Sequence, residues 1–331
     1  GGRTVLVAEP TVHPSVFRLC RGRRALAGMA FPMLKWMEEA TGPKGEMAYG
    51  GSVSTNAYDF ARRLGVSTIA LVGQDLAFTG GLAHARGSYL DEQVFLRTRR
   101  FYTPFMFNRF QLTALPAILV QGIRSPAVHT NQKMMIFLSW FEKRNDPQLV
   151  NASFDGARIK GLRHVTAEEL RFEDPGIDLF GVIDSAHEEG MSALRDPKEV
   201  RRAIVGRCAA MRGELEALVP LLEKAVRNSE ELRAVLAAER RDRGKMEYLL
   251  KRLAEADRNI ESLDALKDMI SFTAQRVIHT ITEGYEVDEG ENAVAEDERV
   301  AMRSRFLYLG FLEGSTFIRR VVEKMSATLG G

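Results

Sequence analysis

Cysteine is scarce: Cys20 and Cys208 are the only two in 331 residues, and they lie far apart in the chain. Two such residues cannot staple a chain of this length, so a disulfide scaffold is excluded and a reduced, cytoplasmic protein is expected. Excess charge is also lacking, with 46 Lys and Arg against 44 Asp and Glu and a net charge of +2. That balance removes the global basic field by which nucleic-acid binders are recognised, and no nucleic acid is expected as a partner. No run reaches the roughly 20 apolar residues of a membrane span. The longest candidate, Ala114 to Ile123, is interrupted by Pro116 and Gln121. No charged n-region followed by an apolar h-region opens the chain, so no secretory leader is expected. No DxD occurs, and the six histidines, at 13, 84, 129, 164, 187 and 279, show no ligand spacing. No metal site and no cofactor are expected on these grounds.

What is present is the composition of a globular protein, 45% hydrophobic and 27% charged. The length allows two domains. In the first half, short apolar runs alternate with helical segments. Thr4–Ala8 (TVLVA) and Ser67–Gly73 (STIALVG) read as buried strands. Between them, Ser54–Leu64 places Ala57, Phe60, Ala61 and Leu64 at i, i+3, i+4 and i+7, which predicts an amphipathic helix with those residues inward. Gly65 suits the helix C-terminus, and helix, glycine, buried strand is the second half of a βαβ unit. The fold class expected for residues 1–190 is therefore α/β with a mainly parallel sheet.

From Pro197 the period becomes helical. Ile204, Cys208, Met211, Leu215, Leu218 and Leu222 lie on one stripe. Further helices are predicted through Met246, Leu249, Leu250 and Leu253, through Leu263, Leu266, Met269, Ile270 and Val277, and through Phe306, Leu309, Phe311, Leu312, Phe317 and Val321. Residues 191–331 are thus expected to form an all-α bundle of antiparallel helices. The acidic stretch Glu286–Glu298 has no apolar period and reads as a solvated loop.

The segment that carries chemistry runs from Gly50 to Gly87. Gly50 and Gly51 lead into Ser52, Ser54 and Thr55 at a helix N-terminus, where small residues and the helix dipole can receive an anion. The same residues also make an ordinary N-cap. After the second strand come Gly73, Gln74, Asp75 and then Thr79-Gly80-Gly81. In open α/β sheets, ligands bind beyond the carboxyl ends of the strands. Asp75 could accept hydrogen bonds there from a ribose or base, hold a catalytic group, or cap the next turn. His84 follows in a loop, where an imidazole could serve as acid or base or be incidental. Arg97, Arg99 and Arg100, beside Phe101 and Tyr102, could hold a phosphate or acidic sugar or form a solvated loop.

Together, GGSVST, a helix ending in LG, a buried strand, GQDLAFTGG and HA resemble the motility accessory factor family. Its core domain is shared with archaeal 6-hydroxymethylpterin pyrophosphokinase-like proteins. Asn151–Gly161 (NASFDGARIKG) is similar to a further element of that family, so the motif resemblance extends to about residue 165. The resemblance implies a sialyltransferase-like, Rossmann-type domain. It also implies an enzyme that moves a nonulosonic acid, of the pseudaminic or legionaminic type, from a CMP donor to Ser or Thr of flagellin. By motif, Gly50, Gly51, Ser52, Thr55, Gly73, Gln74 and Thr79 would line the nucleotide site, with Asp75 and His84 near the reaction centre. Flagellin and the nucleotide sugar would be the partners, with homo-oligomerisation open.

The family's opening GxGPSL turn does not occur in this sequence, so either the chain enters the domain partway or this member lacks the first βαβ unit. Phe78 stands where the family more usually has tyrosine. Two other functions stay open. Pyrophosphoryl transfer to a pterin needs ATP and Mg²⁺ held by carboxylates, for which no pair is evident. A non-catalytic flagellin-binding factor would need no donor site at all.

Overall fold

Val5–Ala8 forms strand β1 and pairs in parallel with β2 (Arg23–Leu26), the short helix α1 (Pro14–Leu19) lying between them in sequence. These coordinates are a computed structural model and describe residues 4–48, 50–171, 176–238, 240–275 and 293–330. By its internal contacts the chain divides into two compact units, residues 1–45 with 183–331 and residues 46–182. The expected division at residue 190 separates consecutive stretches by periodicity. The contact grouping differs from it, because the first 45 residues fall with the C-terminal helices.

In the first unit, α2 (Pro32–Thr41) is followed, after residue 182, by the rest of α7 (Leu179–Ser192), then α8 (Pro197–Leu236), α9 (Arg243–Glu261), α10 (Asp264–Thr273) and α11 (Ala293–Gly330). Asp196 caps α8, and Pro197 at its first position lacks an N–H that would have had no helical partner. All six stripe residues from Ile204 to Leu222 are buried in one core, together with Leu249, Leu253, Leu266 and Ile318. Trp36 of α2 joins that core, with the Arg207 guanidinium 4.8 Å from its ring centre and 2.6 Å from the Glu39 carboxylate. Arg195 donates to the carbonyls of Glu39 and Ala40 at the end of α2, at 3.0 and 2.9 Å, satisfying two acceptors that no helical N–H reaches. Gly314 of α11 permits close approach to α10: a Cβ there would lie 2.4 Å from Thr273 Oγ1.

Two expectations change in this unit. Phe306 and Phe317 are exposed, while Tyr308, Ser315 and Ile318 face inward on α11. The Tyr308 hydroxyl reaches Asp257 Oδ1 at 2.7 Å, so the inward stripe follows a polar anchor that hydrophobic periodicity does not register. The stretch read as a solvated loop, Glu286–Glu298, lies outside the described residues up to 292, and α11 begins at Ala293. Val277 also lies outside the described residues.

The second unit contains α3 (Val53–Arg63), β3 (Ile69–Leu71), α4 (Tyr89–Arg97), α5 (Pro104–Thr113), β4 (Ala117–Val120), β5 (Val128–Asn131), α6 (Gln132–Glu142), β6 (Leu149–Asn151) and β7 (Arg163–His164). The expectation of a mainly parallel sheet meets three small sheets among the described residues: parallel β1–β2, parallel β3–β6–β7, and an antiparallel β4–β5 hairpin. The architecture is mixed α/β with helix dominant.

Helix α3 forms where predicted but does not bury the predicted face. Thr55, Asn56, Tyr58 and Asp59 are inward, while Ala57 and Leu64 are exposed. The physical reason is that each polar group finds a partner. Asp59 Oδ2 accepts from the Ala48 N–H at 2.8 Å and from Arg63 Nε at 2.9 Å. Burial pushes the Asp59 carboxyl up, but these bonds and the Arg63 and Arg62 charges outweigh it and leave its pKa below the usual value. Tyr58 donates to Asp146 Oδ2 at 2.7 Å while its ring packs edge-on against Trp140 and Phe141.

Candidate functional site

The three-stranded parallel sheet aligns the carboxyl ends of its strands at one edge. Leu71 pairs in register with Asn151, and Asn151 with His164. The segments that follow β3 and β6, GQDLAFT and ASFDG, therefore leave the sheet side by side, at the edge where α/β proteins hold ligands.

Hydrogen bonds join these two segments. Gly73 turns the chain with φ +68°, and the Gln74 N–H donates to Ser153 Oγ at 2.9 Å. The Ser153 N–H donates to Asn151 Oδ1, also at 2.9 Å. The Asp75 carbonyl accepts from the Ala157 N–H at 2.7 Å. Gly156, at φ +115°, packs on the Asp75 backbone so closely that a Cβ would sit 2.4 Å from its oxygen. Leu76 adopts φ +49°, an uncommon conformation for a branched residue. It is held there by Thr130 Oγ1, which donates to the Leu76 carbonyl at 2.8 Å, and by the Phe78 N–H, which donates to the His129 carbonyl at 2.8 Å. The loop bearing Asp75 is thus clamped between the NASFDG segment and β5.

Of the expected site residues, Gly73 and Gln74 of the nucleotide set and Asp75 of the reaction centre stand at this edge, beside the second motif. Thr79 closes the same loop, and its Oγ1 is buried without a hydrogen-bond partner. At the N-terminus of α3, a local account explains the glycines. A Cβ on Gly50 would fall 2.5 Å from the Thr55 side chain, and Gly51 sits at φ +79° beneath Phe137. Thr55 is fully buried. Its hydroxyl donates to the Ser52 carbonyl at 2.6 Å and accepts the Ser52 N–H at 3.4 Å. The Ser52 and Ser54 hydroxyls lie 2.9 Å apart. Thr55 is therefore engaged in closing the turn, while Ser52 and Ser54 remain at the positive end of the helix dipole.

His84 belongs elsewhere. It is exposed and lines a cavity of about 480 Å³ between α4 and α5, with Leu82, Arg86, Asp91 and Arg97. Asp75 does not line that cavity. Asn108 of α5 fixes the loop beside His84, accepting from the Ala83 N–H at 2.9 Å and donating to the Gly81 carbonyl at 2.7 Å. Arg97 lines the same cavity, and the Arg100 guanidinium lies 5.6 Å from the centre of the exposed Phe101 ring. The structure does not join His84 and Asp75 into one site.

Sequence reasoning missed three residues at the sheet edge: Asn151, Ser153 and His164. The first two lie inside a quoted motif without having been assigned a role, and His164 was one scattered histidine among six. Asn151 is completely buried, and its Nδ2 has no partner. Both ring nitrogens of His164 are buried, with only a weak hydrogen bond to the Ile159 backbone. Burial, with the Arg158 charge, holds the imidazole below its ordinary pKa against a smaller opposing hydrogen bond with the Ile159 backbone. Among the described residues, no group of three or more His, Cys, Asp or Glu could hold a metal ion, and no helix is long and apolar enough to cross a membrane.

A family model described as 6-hydroxymethylpterin diphosphokinase MptE-like matches residues 1–81, which include GGSVST and GQDLAFTGG. An uncharacterized protein of Treponema pallidum (strain Nichols) is 33% identical over 135 residues, covering 37% of this chain and 34% of that protein. The chain thus matches about a third of the length of this curated relative. No solved structure matches.

Proposed function

We propose that the chain carries the nucleotide-sugar core of a sialyltransferase-like, Rossmann-type glycosyltransferase. Its reaction would move a nonulosonic acid from a CMP donor to a Ser or Thr hydroxyl of flagellin in the cytoplasm. The observation that supports this reading is the convergence of GQDLAFT and NASFDG on one sheet edge, with buried polar atoms there still lacking partners. An unmet buried donor costs about 1–3 kcal/mol, and a ligand that meets it recovers that cost.

In this reading the edge residues Gln74, Asp75 and Thr79 hold the nucleotide, with Gly73 supplying the turn. Gly50, Gly51, Ser52 and Thr55 form the helix start that faces the donor phosphate. A base takes the proton of the acceptor hydroxyl as the new bond forms from its oxygen to the anomeric carbon. The glycosyl–phosphate bond breaks, and CMP leaves with the electron pair, stabilised by hydrogen-bond donors. Asp75 is the carboxylate at the edge, and His84 lines the cavity between α4 and α5.

A second reading, diphosphoryl transfer from ATP, is favoured by the description of the family model that matches residues 1–81. Calorimetric titration with CMP, and separately with ATP and Mg²⁺, separates the two. Binding of CMP without metal, weakened about tenfold or more in Asp75→Ala, is expected; one hydrogen bond to a charged group has that scale. Binding of ATP only with Mg²⁺ would overturn the glycosyltransferase in favour of the diphosphokinase.

A further inference from the structure

Asn151 and His164 are register partners on adjacent parallel strands, so their side chains leave the sheet on the same side. Each carries buried polar atoms short of partners: Nδ2 of Asn151 has none, and the His164 ring has only a weak hydrogen bond with the Ile159 backbone. The amide orientation of Asn151 is set, because its Oδ1 accepts the Ser153 N–H, and this leaves Nδ2 as the unmet end. The pair therefore presents two N–H donors of the amide and, on protonation of the ring, an imidazolium N–H that Ile159 does not occupy. Arg158 is the charged group that acts on the ring, and no carboxylate does so. Donors gathered near a cation, without a counter-anion, are complementary to an anionic oxygen group.

We propose that the Asn151–His164 pair is a phosphoryl-recognition point at the carboxyl edge of β6 and β7. It rests on the reading of this edge as a ligand site, but not on the nucleotide being CMP. The bound phosphoryl oxygen accepts from Asn151 Nδ2 and from a ring N–H of His164. The imidazole then gains the anionic neighbour it lacks, which favours its protonated form. Ligand binding is accordingly coupled to proton uptake, and affinity rises as the pH falls from 8 to 6.

The test follows the ring ¹H and ¹⁵N resonances of His164 in the full chain, titrated with CMP, inorganic pyrophosphate or cytidine, with calorimetry in parallel. CMP and pyrophosphate are expected to move these resonances and raise the pKa of the ring, and cytidine to leave them unchanged. His164→Gln keeps an amide donor but cannot titrate. It is expected to bind CMP with little pH dependence and about tenfold more weakly at pH 6, the scale of one hydrogen bond to a charged group. Calorimetric binding of CMP without movement of the His164 resonances would overturn the inference and leave the glycosyltransferase reading standing. Movement with pyrophosphate but no binding of CMP would support the inference and sink the CMP reading. Silence of the resonances to every probe, or an equal response to cytidine, would overturn the inference. The resonances are read in the unaltered protein, so a variant that fails to fold does not blunt the result.

Discussion

The two units solve the same problem by opposite means. In the unit of residues 1–45 and 183–331, helix α8 buries Ile204, Cys208, Met211, Leu215, Leu218 and Leu222, the stripe that periodicity marks. In the unit of residues 46–182, helix α3 buries Thr55, Asn56, Tyr58 and Asp59 and leaves the marked Leu64 63% exposed. An apolar stripe needs only apolar neighbours, and many arrangements supply them. A buried polar stripe needs a particular partner for each group, or it costs stability. The second kind of surface specifies a single arrangement. The unit of residues 46–182 also holds Thr79 Oγ1 and Asn151 Nδ2, both buried without a hydrogen bond. The same unit exposes Phe95, Phe101 and Phe105, at 61%, 76% and 72%.

Each unit contains one of the two tryptophans, Trp36 in the first and Trp140 in the second, so fluorescence of single-tryptophan variants reports on each separately. The largest effect is expected from Leu215→Ala, which empties a fully buried position. A loss of about 2–5 kcal/mol is expected. It should appear in the urea transition followed through Trp36. An equal shift of the Trp140 transition would break the comparison, because the two units would then unfold as one.

Gly156→Ala is expected to cost about 1–3 kcal/mol, the scale of backbone strain. It should act on the Trp140 transition and abolish nucleotide binding, since the new Cβ drives into the Asp75 backbone. Retained binding at unchanged stability would show that the contact between the two motifs is not needed.

The smallest effect concerns Tyr58, whose pKa is pushed up to about 12 by burial and by the hydrogen bond and charge of Asp146. A folded-state pKa raised above the ordinary value of about 10 means stability that is complete below pH 10 and lost as pH climbs toward 12. Tyr58→Phe should lower stability by about 1 kcal/mol at pH 7 and remove that part of the alkaline decline. An unchanged alkaline profile in the variant would count against the Tyr58–Asp146 bond as its source.

Much of the helical unit was legible because a helix repeats every 3.6 residues, and six apolar side chains in that period leave one solution for the inward face. The strand at Ile69–Leu71 was legible from its β-branched, glycine-bounded run. The inward face of α3 was not, because Asp59 and Tyr58 owe their burial to Ala48, Arg63 and Asp146, the last of them 88 positions away from Tyr58. Part of the candidate site was visible as GQDLAFTGG and NASFDGARIKG. His84, close to the first motif in sequence, was read with it, although helices α4 and α5 give it a cavity of its own. His164 carried no local signal at all.

The sequence by itself determined the mixed class, the helical second half, the stripe of α8 and the two motif segments, because composition and short-range period decide those. Tertiary structure alone decided that residues 1–45 fall with the C-terminal helices and that Gly156 supports Asp75. It also decided that Asn151 and His164 stand side by side as register partners, with Nδ2 of Asn151 unmet. The register of a parallel sheet joins residues through crossovers of a dozen or more positions, and no local pattern encodes which strand becomes the neighbour.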